Sequence, residues 1–153
     1  MTDFKGTLTD VLTRMALEIR ENYRQRLLRD DKTATGRLHD YQEPDVRVTD
    51  MDYSVAMTLP RHWAYVEYGR RKGAKMPPVD AIAQWIKDKG IPYKRLDGLA
   101  WYIAKSIQKN GIAPTHHLEQ SVDEVWERYR DRIDETIHDY AYAQVWEALK
   151  GKF

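Results

Sequence analysis

The strongest constraint on the fold lies toward the C-terminal end of the sequence. Over residues 115–149 apolar side chains recur every three or four positions, at Leu118, Val122, Val125, Tyr129, Ile133, Ile137 and Tyr140. That spacing predicts a single amphipathic helix of about ten turns. Twenty helical residues already span about 30 Å, comparable with the diameter of a small domain. The chain's own core is therefore expected to cover only part of this helix. Ile133, Ile137, Tyr140 and Val145 are expected to continue the stripe, flanked by Asp131, Asp134, Glu135 and Asp139. An apolar stripe left in water is an aggregation liability, so the distal half is expected to pack on another subunit.

The rest of the chain alternates between two periods. Residues 7–29 place Leu8, Leu12, Met15, Ile19, Tyr23 and Leu27 on one helical face, with Thr7 or Thr9 as the expected cap. The polar stretch 30–36 reads as a flexible loop. Alternation then appears in residues 46–49 and 53–59, two antiparallel strands joined through Asp50, Met51 and Asp52 and closed by Pro60. Two strands rarely stand alone in water, so they are expected to lie on helices or to join strands from another copy. Trp63, Tyr65 and Tyr68 follow, expected to be buried against the hairpin and the first helix. Two short helices come next, one from Val79 carrying Ile82, Ala83 and Ile86, the other over residues 97–109 carrying Leu99, Ile103 and Ile107. Together these predict a single α+β domain over residues 1–153. In it a small antiparallel sheet packs with an N-terminal helix, two short helices and a long C-terminal helix over 115–150.

Several function classes are disfavoured by composition. With no cysteine there is no disulfide framework, thiolate metal site or cysteine nucleophile. The first residues lack the basic flank and apolar run of a signal peptide, and no stretch of about 18 apolar residues occurs. A protein made and kept in cytoplasm, without a membrane span, is expected. The net charge of +1 argues against a general polyanion binder, but the distribution is uneven. Residues 70–110 carry 10 basic and 3 acidic side chains, whereas residues 111–153 carry 5 and 9. Such blocks can attract one another within a subunit or between subunits, or attract an external anion.

Candidate chemistry is sparse. His116 and His117 are adjacent, and neighbouring helical side chains point about 100° apart, which does not chelate. They read as a solvated or capping pair. The carboxylates fall on solvent faces, with Glu124 and Arg128 as a surface pair. Ser54, Ser106 and Ser121 lack a nucleophile-elbow context. Gly69 and Gly73 bracket basic residues at a spacing that matches no phosphate loop, and an exposed basic turn is the expected form. Arg70, Arg71, Lys72 and Lys75 of that turn are expected to face an acidic neighbour or a channel. With Ile133, Ile137 and Tyr140 they make up the candidate subunit or channel contacts. Trp85, Trp101, Tyr102, Trp126 and Trp146 are expected in core or interface. No catalytic, metal or cofactor residue is expected, and the chain does not read as an enzyme.

Taken in order, several segments resemble a known family. These are residues 33–38 (Thr-Ala-Thr-Gly-Arg-Leu), 63–69 (Trp-Ala-Tyr-Val-Glu-Tyr-Gly), and 77–82 (Pro-Pro-Val-Asp-Ala-Ile) opening a helix with Trp85-Ile86. Residues 99–107 (Leu-Ala-Trp-Tyr-Ile-Ala-Lys-Ser-Ile) and 110–115 (Asn-Gly-Ile-Ala-Pro-Thr) complete the series. The sequence resembles the head–tail connector or tail-completion neck proteins of tailed bacteriophages, of the minor-tail-protein-Z type, over roughly residues 7–120. The resemblance implies a non-enzymatic virion protein assembled in the host cytoplasm. In it, copies of the chain form a ring at the neck, beside other neck, portal or tail proteins and close to packaged DNA. It departs from the family after Pro114, where His116-His117-Leu118 leads into a long acidic helix. The alternative is a small DNA-binding protein that uses the two helices within 79–109 as a helix-turn-helix.

Overall fold

The structure, a computed structural model, describes residues 3–30, 42–50, 52–60 and 63–151. Among these residues five α-helices and one two-stranded antiparallel sheet follow in the order α1 (Phe4–Arg29), β1 (Glu43–Val48), β2 (Tyr53–Thr58), α2 (Trp63–Tyr68), α3 (Val79–Asp88), α4 (Leu96–Asn110) and α5 (His117–Lys150). The class is α+β, with the long C-terminal helix that the apolar spacing predicts. The loop expected over 30–36 and the segment 33–38 lie, beyond Asp30, outside the described residues. No described helix is long and apolar enough to cross a membrane.

The chain divides into two compact units, each built from separated stretches. Unit 1 comprises Met1–Tyr23, Glu43–Thr58 and Glu119–Phe153. Helix α1 begins earlier than Thr7 or Thr9 would allow, because Asp3 caps it. The Asp3 carboxylate accepts from the Gly6 N–H at 3.1 Å, the geometry that satisfies an orphan donor of the first turn. Leu8, Val11, Leu12, Met15, Ala16, Ile19 and Tyr23 are buried along one face of α1, and Ser121, Val125 and Ile133 are buried on α5. Burial of large aliphatic side chains contributes about 1.5–3 kcal/mol each, so this face supplies most of the cohesion of the unit. Contacts near either end fix the direction of α5 against α1 as antiparallel. Glu18 pairs with Arg128 and accepts from the Tyr129 hydroxyl, and Phe4 stacks on Tyr140 with ring centroids 3.9 Å apart.

The hairpin registers Pro44 with Met57, Val46 with Val55 and Val48 with Tyr53. These pairs make up its apolar face, and all but Tyr53 are half-buried, while Glu43, Asp45, Arg47, Ser54, Ala56 and Thr58 face out. The turn closes through Thr49, whose N–H donates to the Asp52 carbonyl at 2.8 Å. Lys5 holds Asp50 at 2.7 Å, tying the turn to the start of α1.

Unit 2 comprises Arg24–Gln42 and Leu59–Leu118. Helices α3 and α4 pack on one another. Ile86 is fully buried on α3, and Ala100 and Ala104, one turn apart, are fully buried on α4. Small side chains at that spacing let two helices approach closely. Gly111 ends α4 with φ 75°, as the Asn-Gly signal predicts.

Candidate assembly surfaces

The basic turn is held by its neighbours more firmly than the sequence suggests. Arg70 and Ile112 form an antiparallel bridge, each N–H donating to the other's carbonyl at 2.9 Å. The Arg70 guanidinium donates to the Lys75 carbonyl at 2.5 Å and lies over the Tyr65 ring, 4.9 Å from its centroid. Arg70, half-buried, is therefore also a brace within its own chain. Arg71, Lys72 and Lys75 are exposed, as expected. The crossing requires glycine on both sides. At Gly69, φ 68°, an added Cβ would lie 2.2 Å from the Ile112 carbonyl oxygen, and at Gly111 it would lie 2.4 Å from that of Arg70.

Beside this bridge the end of α2 meets the start of α5. The Val66 and Glu67 carbonyls, orphaned at the end of a short helix, accept from the backbone N–H groups of Thr115 and His116 at 3.1 Å. In return the Glu67 carboxylate, 1% exposed, accepts from the Leu118 N–H at 2.9 Å. A negative side chain there also suits the positive end of the α5 dipole. This junction corrects two expectations. Tyr65 and Tyr68 are exposed, Trp63 is only half-buried, and the polar Glu67 among them is the buried residue. His117 is buried too, with Nε2 2.6 Å from the Asp30 carboxylate, so it is not a solvated histidine. A hydrogen bond from Arg29, followed by that of His117, holds the Asp30 carboxyl below its ordinary value against desolvation.

The α5 residues assigned to subunit contact sort differently. Ile133 is completely buried within unit 1, and so is not available to a partner. Ile137 and Tyr140 are half-buried, and Tyr140 is covered by Phe4. Arg128, expected to pair with Glu124, reaches Glu18 on α1. Val145 does not continue the stripe. It lies five residues beyond Tyr140, about 140° around the helix. Every residue of 141–150 is exposed. Tyr142, Val145, Trp146 and Leu149, between 43% and 65% exposed, form a second apolar stripe opposite the one that packs on α1. The one-face reading missed it. Its signal was the 142, 145, 146, 149 spacing taken separately from 133, 137, 140.

The tryptophans expected in core or interface are all exposed within the chain: Trp85, Trp101, Trp126 and Trp146, with Tyr102 beside them. On α4 the face opposite Ala100 and Ala104 carries Trp101, Tyr102, Lys105 and Lys109. The comparisons with family models, curated proteins and solved structures found no match.

Proposed function

We propose that the chain is a structural, non-enzymatic virion protein of a tailed bacteriophage, a ring-forming neck component that acts in head–tail joining or tail completion. One observation carries the reading. Three of the segments whose order makes the resemblance, residues 63–69, 99–107 and 110–115, meet in one unit. There the first and last of them are joined directly, the Thr115 N–H donating to the Val66 carbonyl at 3.1 Å, beside the Arg70–Ile112 bridge and the Glu67–Leu118 cap. Residues scattered along the sequence thus serve one local framework, which leaves the exposed charged and aromatic faces free to vary with the partner. The exposed basic turn and the second apolar stripe of α5 are surfaces suited to contact with copies of the chain and with other neck, portal or tail proteins. Localisation is then the virion neck, reached after assembly in the host cytoplasm.

The helix-turn-helix alternative is not favoured. Helices α3 and α4 are separated by residues 89–95, longer than the three- or four-residue turn of that motif. Deleting the gene tests the reading: phage lysates should then contain filled heads and free tails, and purified chain added to them should restore infectious particles. Joined, infectious particles made without the chain would contradict it.

A further inference from the structure

The outward face of the distal α5 carries more than the four apolar residues. Asp131, Asp134, Glu135, His138 and Asp139 lie on the same side of the helix, one to three turns before Tyr142. The stripe therefore reads acidic first and aromatic second. His138 stacks on Tyr142, and Tyr142 on Trp146, each pair with centroids 6.5 Å apart and planes within 14° and 5°. Rings already stacked on one another have less freedom to lose on docking, which lowers its entropic cost.

The outer face of α4 carries the complementary order. Gly98 comes first, followed by Trp101 and Tyr102, 52% and 69% exposed, and then by Lys105 and Lys109. A Cβ added at Gly98 would meet only that of Arg95, at 3.9 Å, so the helix surface has a shallow gap there. Aromatic precedes basic on α4, whereas acidic precedes aromatic on α5. Apolar can meet apolar and acid can meet base at the same time only if the two helices run antiparallel.

We propose that the distal α5 of one copy docks antiparallel on the outer face of α4 of a second copy. In this register Glu135 faces Lys109, Asp139 faces Lys105, Tyr142 meets Trp101 and Tyr102, and Trp146 seats over Gly98. The occupant is a second copy because this chain itself supplies the basic, aromatic complement to its acidic, aromatic tail. The contact joins different surfaces of the two copies, so it is heterologous and propagates around a ring. The inference rests on the neck-ring reading and specifies the contact that closes the ring.

The chain has no cysteine, so introduced thiols report the contact cleanly. Full-length D139C mixed with full-length K105C should form an interchain disulfide under mild oxidation. D139C mixed with G98C, the pair that a parallel arrangement would bring together, should not. The double charge reversal E135K/D139K should weaken self-association at least about tenfold, and adding K105E/K109E on the same chain should restore it. Circular dichroism should show all variants folded, since these side chains are exposed. Oligomers that survive the α5 reversal and give no D139C–K105C link would overturn this contact while leaving the ring reading intact. A chain that stays monomeric at all concentrations would overturn both. A tail protected in finished virions that carry D139C and K105C copies, but with no link formed between them there, would overturn this contact alone, since its occupant would then be a different neck protein.

Discussion

Phe4 and Tyr140 stack almost face to face, with centroids 3.9 Å apart and planes 12° from parallel, at the start of α1 and two-thirds of the way along α5. Before Tyr140 the apolar stripe of α5 includes the completely buried Ile133, and after it no side chain up to Lys150 is covered. The stack thus marks where the helix stops serving the subunit core and begins to present a surface of its own.

Truncation should respect that mark. A chain ending at Ala141 keeps Ile133, Ile137 and the Phe4–Tyr140 stack, and should melt within a few degrees of the full chain. A chain ending at Arg130 loses them and should be strongly destabilised, as thermal denaturation followed by circular dichroism will show.

The two faces of α5 should respond differently to alanine. Ile133→Ala opens a cavity in unit 1 and should cost about 2–5 kcal/mol of folding stability. Trp146→Ala removes an exposed ring and should change stability by less than about 0.5 kcal/mol while weakening self-association. Denaturant titration paired with sedimentation separates the two effects.

Glu67 should matter through its hydrogen bond and burial. Glu67→Ala leaves the Leu118 N–H without its carboxylate acceptor and should cost about 1–3 kcal/mol. Glu67→Gln retains an acceptor and should cost less. Equal losses for the two would contradict the cap.

Glycine substitutions should rank by what a Cβ would meet. Gly73, φ 76°, has open space, so Gly73→Ala bears only the left-handed backbone penalty of about 1–2 kcal/mol. Gly69→Ala adds a collision with the Ile112 carbonyl and should be much more damaging.

The acid limb of stability should depend on Asp30. Its carboxyl is held below its ordinary value of 3.8 in the folded chain. Its contribution is therefore present above that value and is lost as pH falls through the lower folded value. Asp30→Asn should flatten the stability profile below about pH 4. Lys5 behaves oppositely. Its hydrogen bond and charge pairing with Asp50 raise it above 10.5, so its small contribution fades only as pH rises past the raised value.

Much of the fold was legible because it rests on periodicity. The 3.6-residue stripes predicted α1, α3, α4 and α5, and the alternation in residues 46–49 and 53–59 predicted the hairpin. What escaped depended on contacts distant in sequence. Glu67 is buried because α5 begins 50 residues later against the end of α2. Arg70 is engaged within the chain because its guanidinium reaches the Tyr65 ring and the Lys75 carbonyl while its backbone pairs with Ile112. The Asp3 cap was hidden by threonines, also capping residues though weaker ones, a few positions on. Extending one stripe past Tyr140 overlooked a change of helical face, encoded in the spacing of Tyr142, Val145, Trp146 and Leu149.

The central claim, a ring of this chain at the head–tail junction, is tested most directly by cryo-electron microscopy of purified virions carrying a tag on the chain. The account predicts a closed ring of tagged copies at the neck, between head and tail. Virions that lack the chain, or that carry it anywhere other than the neck, would contradict it.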